Sequence, residues 1–299
     1  MRMRAQIRFL ADQRRLHLQD GPIDLIIEAF GPVGEIEVAY RAAAQRFVSV
    51  LDELCGELQL LRQPARQHDP LPAGSVARRM VAAVAPYAER NFITPMAAVA
   101  GAVAEEILES MTSAANLSRA YVNDGGDIAL HLAPGEQLVA GMAEGPERLS
   151  LFATLTLDSN QPVRGIATSG WRGRSFSLGI ADAVTVLAER AAMADAAATI
   201  IANAVDLPGH PNVVRVPACD LAPDSDLGAR RITQNVGELF ESEIAAALDA
   251  GVAVSESLLS AGLIHSAALH LQGRTRVVVA SRANTLEETR PCDRSLVHA

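Results

Sequence analysis

The sequence is short of several residue types, and the first of them is lysine. All 26 basic residues among its 299 are Arg, and the chain contains no Lys. Schiff-base chemistry, a lysine general base and the lysine of a phosphate-binding P-loop are therefore excluded. Phosphate binding would have to use Arg, backbone N–H groups or a metal ion.

Cysteine and aromatic residues are also scarce. The three cysteines, Cys55, Cys219 and Cys292, are widely spaced and form no CxxC pair, which argues against a zinc site or a disulfide framework. Cys55 lies in an apolar helical stretch, so we expect it in the core. Aromatic residues make up 4% of the chain, too few for a surface that stacks single-stranded nucleic acid.

Charge and hydropathy limit the partners further. The net charge of −9 disfavours nucleic acid and anionic membranes as partners. The first residues contain no apolar run of signal-peptide length, and no segment offers the roughly 18 uncharged apolar residues of a membrane span. We therefore expect a cytoplasmic protein with no nucleic-acid or membrane partner.

Extended and helical patterns alternate along the whole chain. Period-2 patterns predict strands in the first 30 residues, between 119 and 157, and in a terminal hairpin that turns at Gln272-Gly273. Helical spacing covers four further segments, which are 35–61, a helix starting at Thr94-Pro95, 190–204 and 235–261.

Strand patterns at both ends of the chain predict one interwoven domain. We expect a single α+β domain over residues 1–299, with mixed and antiparallel sheets packed with helices. The last 18 residues are expected to form a loose tail, and Gly251 could divide the helix over 235–261. The small-residue face around Gly101 could pack close to a sheet or let a ligand approach the backbone.

The segment "NDGGDI" lies between two predicted strands. Paired glycines there permit positive φ and a tight reversal, so a hairpin turn accounts for them. Three Asx side chains surround the glycines, however, which is more than a turn needs. The alternative is ligand contact through Asn123, Gly125, Gly126 and Asp127.

Two other segments carry polar residues in suggestive patterns. Thr168, Ser169 and Gly170 end an apolar strand in the manner of an anion-binding turn. If the next residues are extended, Arg172 and Arg174 share a face and could bind phosphate; otherwise they are ordinary charges of a solvated loop.

A probable helix places Asp195 and Thr199 four residues apart, on one face. A carboxylate and a hydroxyl so placed can supply two hard oxygens to Mg²⁺, which keeps waters and substrate phosphates as its other ligands. The alternative is a helix Asp with a Thr that bonds back to a carbonyl.

These segments together resemble the ApbE superfamily, which includes the FAD:protein FMN transferases. "VNDGGDI", "GIATSG", "ADAVTVLA" and "MADAAAT" occur in the family's order and spacing, over roughly residues 95 to 205. The run "ATSGWRGRSFSLGIADAVTVLA" resembles an uncharacterised cytoplasmic branch of ApbE-related proteins.

The resemblance implies a fold, a ligand and a metal. It implies that Asp195 and Thr199 bind Mg²⁺, and that the turn around Asp127 and the strand end at Thr168 line a pocket for FAD or FMN. It also implies splitting of FAD at its pyrophosphate and transfer of the FMN half to a threonine of a target protein.

The sequence departs from the transferases at two places. Their Gly-x-x-Ala-Lys-Gly helix start is here "AAVAGAVAEE", and their His-x-x-Asp-Pro-x-Thr-Gly loop is here "FSLGIAD". Three hypotheses follow, and whether the protein is an enzyme stays open. They are Mg²⁺-dependent phosphoryl or nucleotidyl transfer, a flavin- or nucleotide-binding protein without catalysis, and the same fold acting on an unrelated metabolite. A homodimer is possible through the Ala-rich helical faces.

Overall fold

The computed structural model describes residues 4–66, 70–145, 148–279 and 297–298, with the backbone alone for 142–145, 148–154 and 297–298. The strands in these ranges are β1 (Gln6–Phe9), β2 (Leu16–Asp20), β3 (Ile23–Phe30), β4 (Arg119–Asp124), β5 (Asp127–Leu132), β6 (Gln137–Gly145), β7 (Arg148–Asp158), β8 (Gly165–Ser169), β9 (Ala183–Ala188), β10 (Val213–Pro217), β11 (Arg231–Val236), β12 (Ser266–Leu271), β13 (Arg274–Val279) and β14 (Val297–His298).

The helices include all four segments of predicted helical spacing and two further ones, at 75–84 and 218–221. They are α1 (Val33–Gly56), α2 (Leu58–Leu61), α3 (Ser75–Val84), α4 (Val99–Ala114), α5 (Ala191–Ala204), α6 (Ala218–Leu221) and α7 (Glu241–Ser260), with 3-10 turns at Ala85–Tyr87 and Pro95–Ala98. None of the helices in the described ranges combines the length and the apolar character that crossing a bilayer requires.

A nine-stranded sheet organises the fold, in the order β1-β2-β3-β4-β5-β8-β9-β12-β13. Every neighbouring pair in it is antiparallel. The sheet begins with the first described strand and ends with the hairpin that turns at Gln272-Gly273, where both residues have positive φ. The mixture of antiparallel sheet and helices confirms the predicted α+β class.

The two faces of this sheet are buried against different layers. Along β5, Ala129 belongs to the core shared with the long helices, whereas Ile128 and Leu130 belong to a second core. Leu138 and Leu157, from β6 and β7, complete that second core. The side chains of a strand alternate between the two faces, so each position in β4, β5 and β8 can be assigned to the helix face or to the β6–β7 face.

A smaller sheet, in the order β14-β6-β7, contains the only parallel pair among the described strands. Residues 282 to 299, the expected loose tail, lie outside the described residues except for Val297–His298. The backbone of these two residues pairs with β6.

Three local expectations were wrong, each for a physical reason. The helix expected to start at Thr94-Pro95 begins only at Val99, after a 3-10 turn, and the Thr94 hydroxyl donates to Asp226 Oδ2 at 2.5 Å and not to that turn. Gly251 does not divide α7 but sits inside it, where a Cβ would lie 2.4 Å from Val205. Cys55 is exposed because the buried stripe of α1 ends on Leu54, one residue earlier. The sequence pattern also missed β11, which pairs with β10.

Candidate functional site

The β4–β5 turn is built as its glycines predict. Gly125 and Gly126 have φ of +65° and +115°, where a side chain would be strained. Asn123 Oδ1 accepts a hydrogen bond from the Gly126 N–H at 2.8 Å, so this Asx residue serves the turn itself. Asp127 is the first residue of β5, and its side chain points to the helix face together with that of Ala129.

The start of α4 meets the middle of α5 beside this turn. The residue that precedes α4 makes no side-chain cap, and Asp195 takes that role from α5. Its Oδ2 accepts a hydrogen bond from the Gly101 N–H at 3.0 Å, and the carboxylate also accepts from the Ala100 N–H. A carboxylate at a helix N-terminus is stabilised by the N–H groups that the helix leaves unpaired.

The capping is reciprocal, because α4 returns the contact to α5. Glu105 Oε1 accepts a hydrogen bond from the Ala192 N–H, at the start of α5, at 2.8 Å. Between the two caps the backbones touch, since a Cβ on Gly101 would lie 2.4 Å from the Ala191 carbonyl oxygen. The small-residue face around Gly101 therefore serves helix packing, one of its two predicted uses.

At this junction Glu105 pairs with Arg79 and Arg190, but among the described residues no arginine forms an ion pair with Asp127 or Asp195. Burial raises the pKa of Asp127 well above its usual range, and repulsion from Asp195 and Asp124 raises it further. Burial likewise raises the pKa of Asp195 to about 7, against the opposing effect of the Gly101 hydrogen bond. Asp127 and Asp195 are nevertheless partly accessible, which places these carboxylates at the edge of solvent, surrounded by protein on most sides.

Asp124 is the least accessible of the three acids, at 7% exposure. Burial raises its pKa to about 7. Its Oδ1 accepts only a long hydrogen bond, 3.5 Å, from the Asp24 N–H. Each of these acids therefore loses solvation that the protein does not fully replace.

The donor set at this junction fits Mg²⁺ in part. Asp195 and Thr199 lie on one partly exposed face of α5, and their oxygens are the hard ligands that Mg²⁺ prefers. Within the described ranges, no three His, Cys, Asp or Glu side chains are grouped closely enough to hold a metal ion. A Mg²⁺ ion here would therefore depend on water and ligand phosphates for its remaining coordination.

The segment 168–170 contributes through its backbone more than through its side chains. The Thr168 N–H donates to Asp127 Oδ1 at 3.2 Å, while the Thr168 hydroxyl pairs with that of Thr185 at 3.0 Å. Ser169 shares the helix face with Ala167 and is half-buried. Gly170 lies against the Asp182 carbonyl, 2.5 Å from where a Cβ would stand, so packing requires this glycine.

Arg172 and Arg174 lie in turns and bends, not in the extended segment that would place them on one face. Arg172 Nε donates to Asp182 Oδ1 at 2.6 Å, and its guanidinium stacks 4.6 Å from the centre of the Trp171 ring. The guanidinium of Arg174 instead lies over the β4–β5 turn, 3.0 Å from where a Cβ on Gly125 would stand. The structure thus separates two residues that the sequence paired.

Two depressions in the surface lie away from this junction. One, of about 370 Å³, is lined by Leu58, Gln59, Arg62 and Gln63. The other is a narrow cleft against β9, β12 and β13. Neither is lined by Asp127 or Asp195. A ligand at the turn would therefore be held by hydrogen bonds and charges more than by burial in a cavity.

The model of the family described as AbpE bacteria matches residues 7–277. The chain belongs to this family. The resemblance to the ApbE superfamily that the four motifs predicted is thereby confirmed, and the match extends well beyond the segment that carries those motifs.

Curated relatives of this AbpE-family chain include archaeal proteins named UPF0280. The protein of Methanosarcina barkeri is 37% identical over 139 residues, which are 46% of this chain and 52% of the relative. That of Methanocaldococcus jannaschii is 33% identical over 153 residues, 50% of this chain and 60% of the relative. The chain thus spans just over half the length of these curated relatives.

Solved structures similar to this AbpE-family chain include two flavin transferases. The flavin transferase ApbE of Vibrio cholerae is 11% identical, with a TM-score of 0.47, covering 90% of this chain and 98% of that one. The flavinyl transferase ApbE of Pseudomonas stutzeri, in its apo form, is 10% identical with a TM-score of 0.41, covering 93% and 94%.

The AbpE-family chain also contains site residues that sequence reasoning missed. Asp124 was visible as one of the Asx residues of the turn, but nothing local marked it as buried. Asp182 accepts hydrogen bonds from the Trp171 indole at 3.1 Å and from the Gln272 N–H at 2.7 Å. No sequence signal identifies Asp182, because its partners come from two separate segments.

One departure from the transferase motifs has a structural counterpart. Within "FSLGIAD", a Cβ on Gly179 would lie 2.0 Å from the Ala202 carbonyl oxygen of α5. This segment is therefore packed against the helix backbone. In this chain the segment positions α5, whereas the corresponding loop of the transferases is expected to supply polar groups.

Proposed function

We propose that this protein binds a flavin nucleotide at the β4–β5 turn and transfers its phosphoryl-linked half in a Mg²⁺-dependent reaction. The observation that supports this most is the meeting of Asp127 and Asp195, from two elements far apart in sequence, beside the start of α4. Burial raises the pKa of both carboxyl groups, and carboxyl groups with raised pKa values are common in functional sites.

Each residue of the site would have a separate role in this reaction. Asp195 and Thr199 would hold Mg²⁺, which when bound stabilises negative charge on the phosphoryl oxygens. The Gly125-Gly126 backbone would let the nucleotide approach closely, and the Thr168 N–H would keep Asp127 oriented through the hydrogen bond described above. In the reaction the pyrophosphate bond of FAD breaks, AMP leaves, and the FMN phosphoryl group bonds to a hydroxyl acceptor, which is water when no acceptor protein is present. AMP and FMN can therefore be measured directly.

The partners follow from the same site. The ligand is a small phosphorylated molecule, for which FAD and FMN are the first probes. A homodimer remains a prediction of the sequence, and light scattering coupled to size-exclusion chromatography will measure it.

Asp195→Asn is the sharpest test of the proposed function. Asn keeps an oxygen that can accept the Gly101 N–H, so the cap on α4 persists while the charge is removed. We expect the wild type to bind FAD more tightly with Mg²⁺ than with EDTA and to release AMP. The variant should lose the Mg²⁺ dependence of binding, measured by calorimetry, and AMP release, measured by chromatography.

Glu105→Gln is the matched control, because Glu105 caps the opposite helix of the same junction and is not proposed to bind the metal. It should retain Mg²⁺-dependent FAD binding even if its melting temperature falls. A wild type that binds no flavin in either condition would refute the proposed function. FAD binding without AMP release, insensitive to EDTA and to Asp195→Asn, would instead indicate a binding protein without catalysis.

A further inference from the structure

Arg172 and Arg174 stand two residues apart on the same loop but have different surroundings. The Arg172 side chain is 52% exposed, and its Nε and its stacking on Trp171 hold it to the loop. Its ion pair with Asp182 is 2.6 Å long, and the carboxylate of Asp182 is only 9% exposed. The same Asp182 oxygen also accepts from the Trp171 indole, so Asp182 ties both side chains to the sheet.

Arg174 has no comparable partner. Its one hydrogen bond among the described residues is from Nη2 to the carbonyl oxygen of Pro22, at 3.3 Å, and no carboxylate of those residues forms an ion pair with it. Its side chain is exposed. Both guanidinium groups have N–H donors to spare, but only the charge of Arg172 is already paired with a carboxylate, so the charge of Arg174 is the one available to an anionic ligand group.

The position of Arg174 is nevertheless well defined. Its guanidinium spans the β2–β3 turn at Pro22 and the β4–β5 turn at Gly125. It is also close enough to Asp124 to oppose the rise in the pKa of that acid. The cation therefore lies over the turn that joins Asp124 to Asp127, where an anionic ligand group would need a positive partner.

We propose that Arg174, and not Arg172, binds the anionic group of the ligand at this site. Asp182 positions the loop by binding the side chains of Arg172 and Trp171. This inference rests on the proposed function for the identity of the ligand. It adds which of two neighbouring arginines determines the preference for phosphorylated over unphosphorylated flavin. Guanidinium groups suit this task because they donate two parallel hydrogen bonds to a phosphate.

The test compares Arg174→Gln with Arg172→Gln, a matched pair of neutral substitutions. Calorimetry with FMN, riboflavin and inorganic pyrophosphate measures binding. Trp171 is the only Trp of the chain, so its emission spectrum reports on the loop. Arg174→Gln should weaken FMN and pyrophosphate binding by about tenfold or more, as expected for a charge-assisted hydrogen bond. It should leave riboflavin affinity and Trp171 emission nearly unchanged.

Arg172→Gln should do the reverse, shifting Trp171 emission while FMN affinity stays within about twofold of the wild type. Equal losses of FMN affinity in the two variants, or a loss of riboflavin affinity as large as that of FMN in Arg174→Gln, would overturn the inference.

Pyrophosphate separates this inference from the proposed function. If the wild type binds neither flavin but binds pyrophosphate through Arg174, the anion site stands and the flavin function fails. If pyrophosphate does not bind the wild type, or binds Arg174→Gln equally well, the assignment of Arg174 is refuted whatever the flavin result.

Discussion

The two sides of helix α4 face protein environments that affect acidic residues in opposite ways. On one side, Glu106 is 11% exposed and lies among Arg46, Arg79 and Ser75. On the other, the start of the helix meets Asp195 and the Asp127 turn, where the acids repel one another. Burial alone would raise the pKa of Glu106, but the Ser75 hydrogen bond and the Arg46 ion pair outweigh it and lower that pKa.

The arginines explain this difference. Arg46 binds Glu53 through two nitrogens, at 2.7 and 2.8 Å, and Glu106 through its Nε at 2.7 Å. For Asp127 and Asp195, backbone N–H groups are the main compensation, and they satisfy hydrogen bonds without cancelling charge. A buried acid with Arg partners stabilises the fold, whereas buried acids without a cation are a cost that a bound cation or ligand would relieve.

The largest effect is expected where the junction depends on backbone contact. Gly101→Ala places a Cβ 2.4 Å from the Ala191 carbonyl oxygen, so α4 and α5 must separate and both reciprocal caps weaken. We expect a loss of about 3 kcal/mol or more in the free energy of unfolding, or failure to fold. Denaturant unfolding followed by circular dichroism measures it.

Gly34→Ala is the control for that substitution, since nothing lies within 4 Å of a Cβ there. It should change the free energy of unfolding by less than about 1 kcal/mol, in the stabilising direction. Similar losses in the two variants would mean that the close helix contact does not hold the junction together.

The second-largest effect is expected at Glu106, on the side of α4 where arginines neutralise the acid. Glu106→Gln removes the charge that Arg46 and Arg79 neutralise, and we expect a loss of about 2 to 3 kcal/mol at pH 7. Because the pKa of Glu106 is lowered in the fold, its contribution is present above the unfolded pKa and disappears as the pH falls through the folded one. Urea unfolding at pH 7 and pH 3.5 should therefore show a deficit that shrinks in acid; an equal deficit at both would contradict the charge assignment.

The smallest effect, a gain in the free energy of unfolding and not a loss, is expected at Asp124. Asp124→Asn removes a buried charge, so at pH 8 in EDTA the variant should be more stable than the wild type by about 1 kcal/mol. The folded pKa of about 7 exceeds the unfolded value near about 4. The wild type therefore gains stability as the pH falls from 7 towards 4, and the advantage of the variant should vanish by pH 5.

Melting temperatures of wild type and Asp124→Asn, measured side by side across this pH range, check that prediction. A variant less stable than the wild type at pH 8 would show that Asp124 is compensated after all. The two sides of α4 would then differ less than their surroundings indicate.

Local patterns predicted the elements well because each depends on neighbouring residues. Positive φ at Gly125, Gly126 and Gln272-Gly273 follows from residue types that tolerate it, and the strand alternation of β3 or β5 follows from which face is buried. The exceptions had distant causes. Thr94 bonds to Asp226, 132 residues away in sequence, and Gly251 is packed against Val205 and Leu269, so neither could be judged from its own segment.

The candidate site divides along the same line. The sequence by itself determined the turn, the α+β class, the absence of any lysine chemistry and, through four motifs in order, the family. Only the tertiary structure decided which charges meet. It places Asp195 at the start of α4, pairs Arg172 with Asp182, positions Arg174 over Gly125 and buries Asp124. The reason is physical: hydrogen-bond partners and the loss of solvation depend on which atoms surround a group in space. In this fold those atoms can come from distant segments, as with Gly101 and Asp195, 94 residues apart, and Asp24 and Asp124, 100 residues apart.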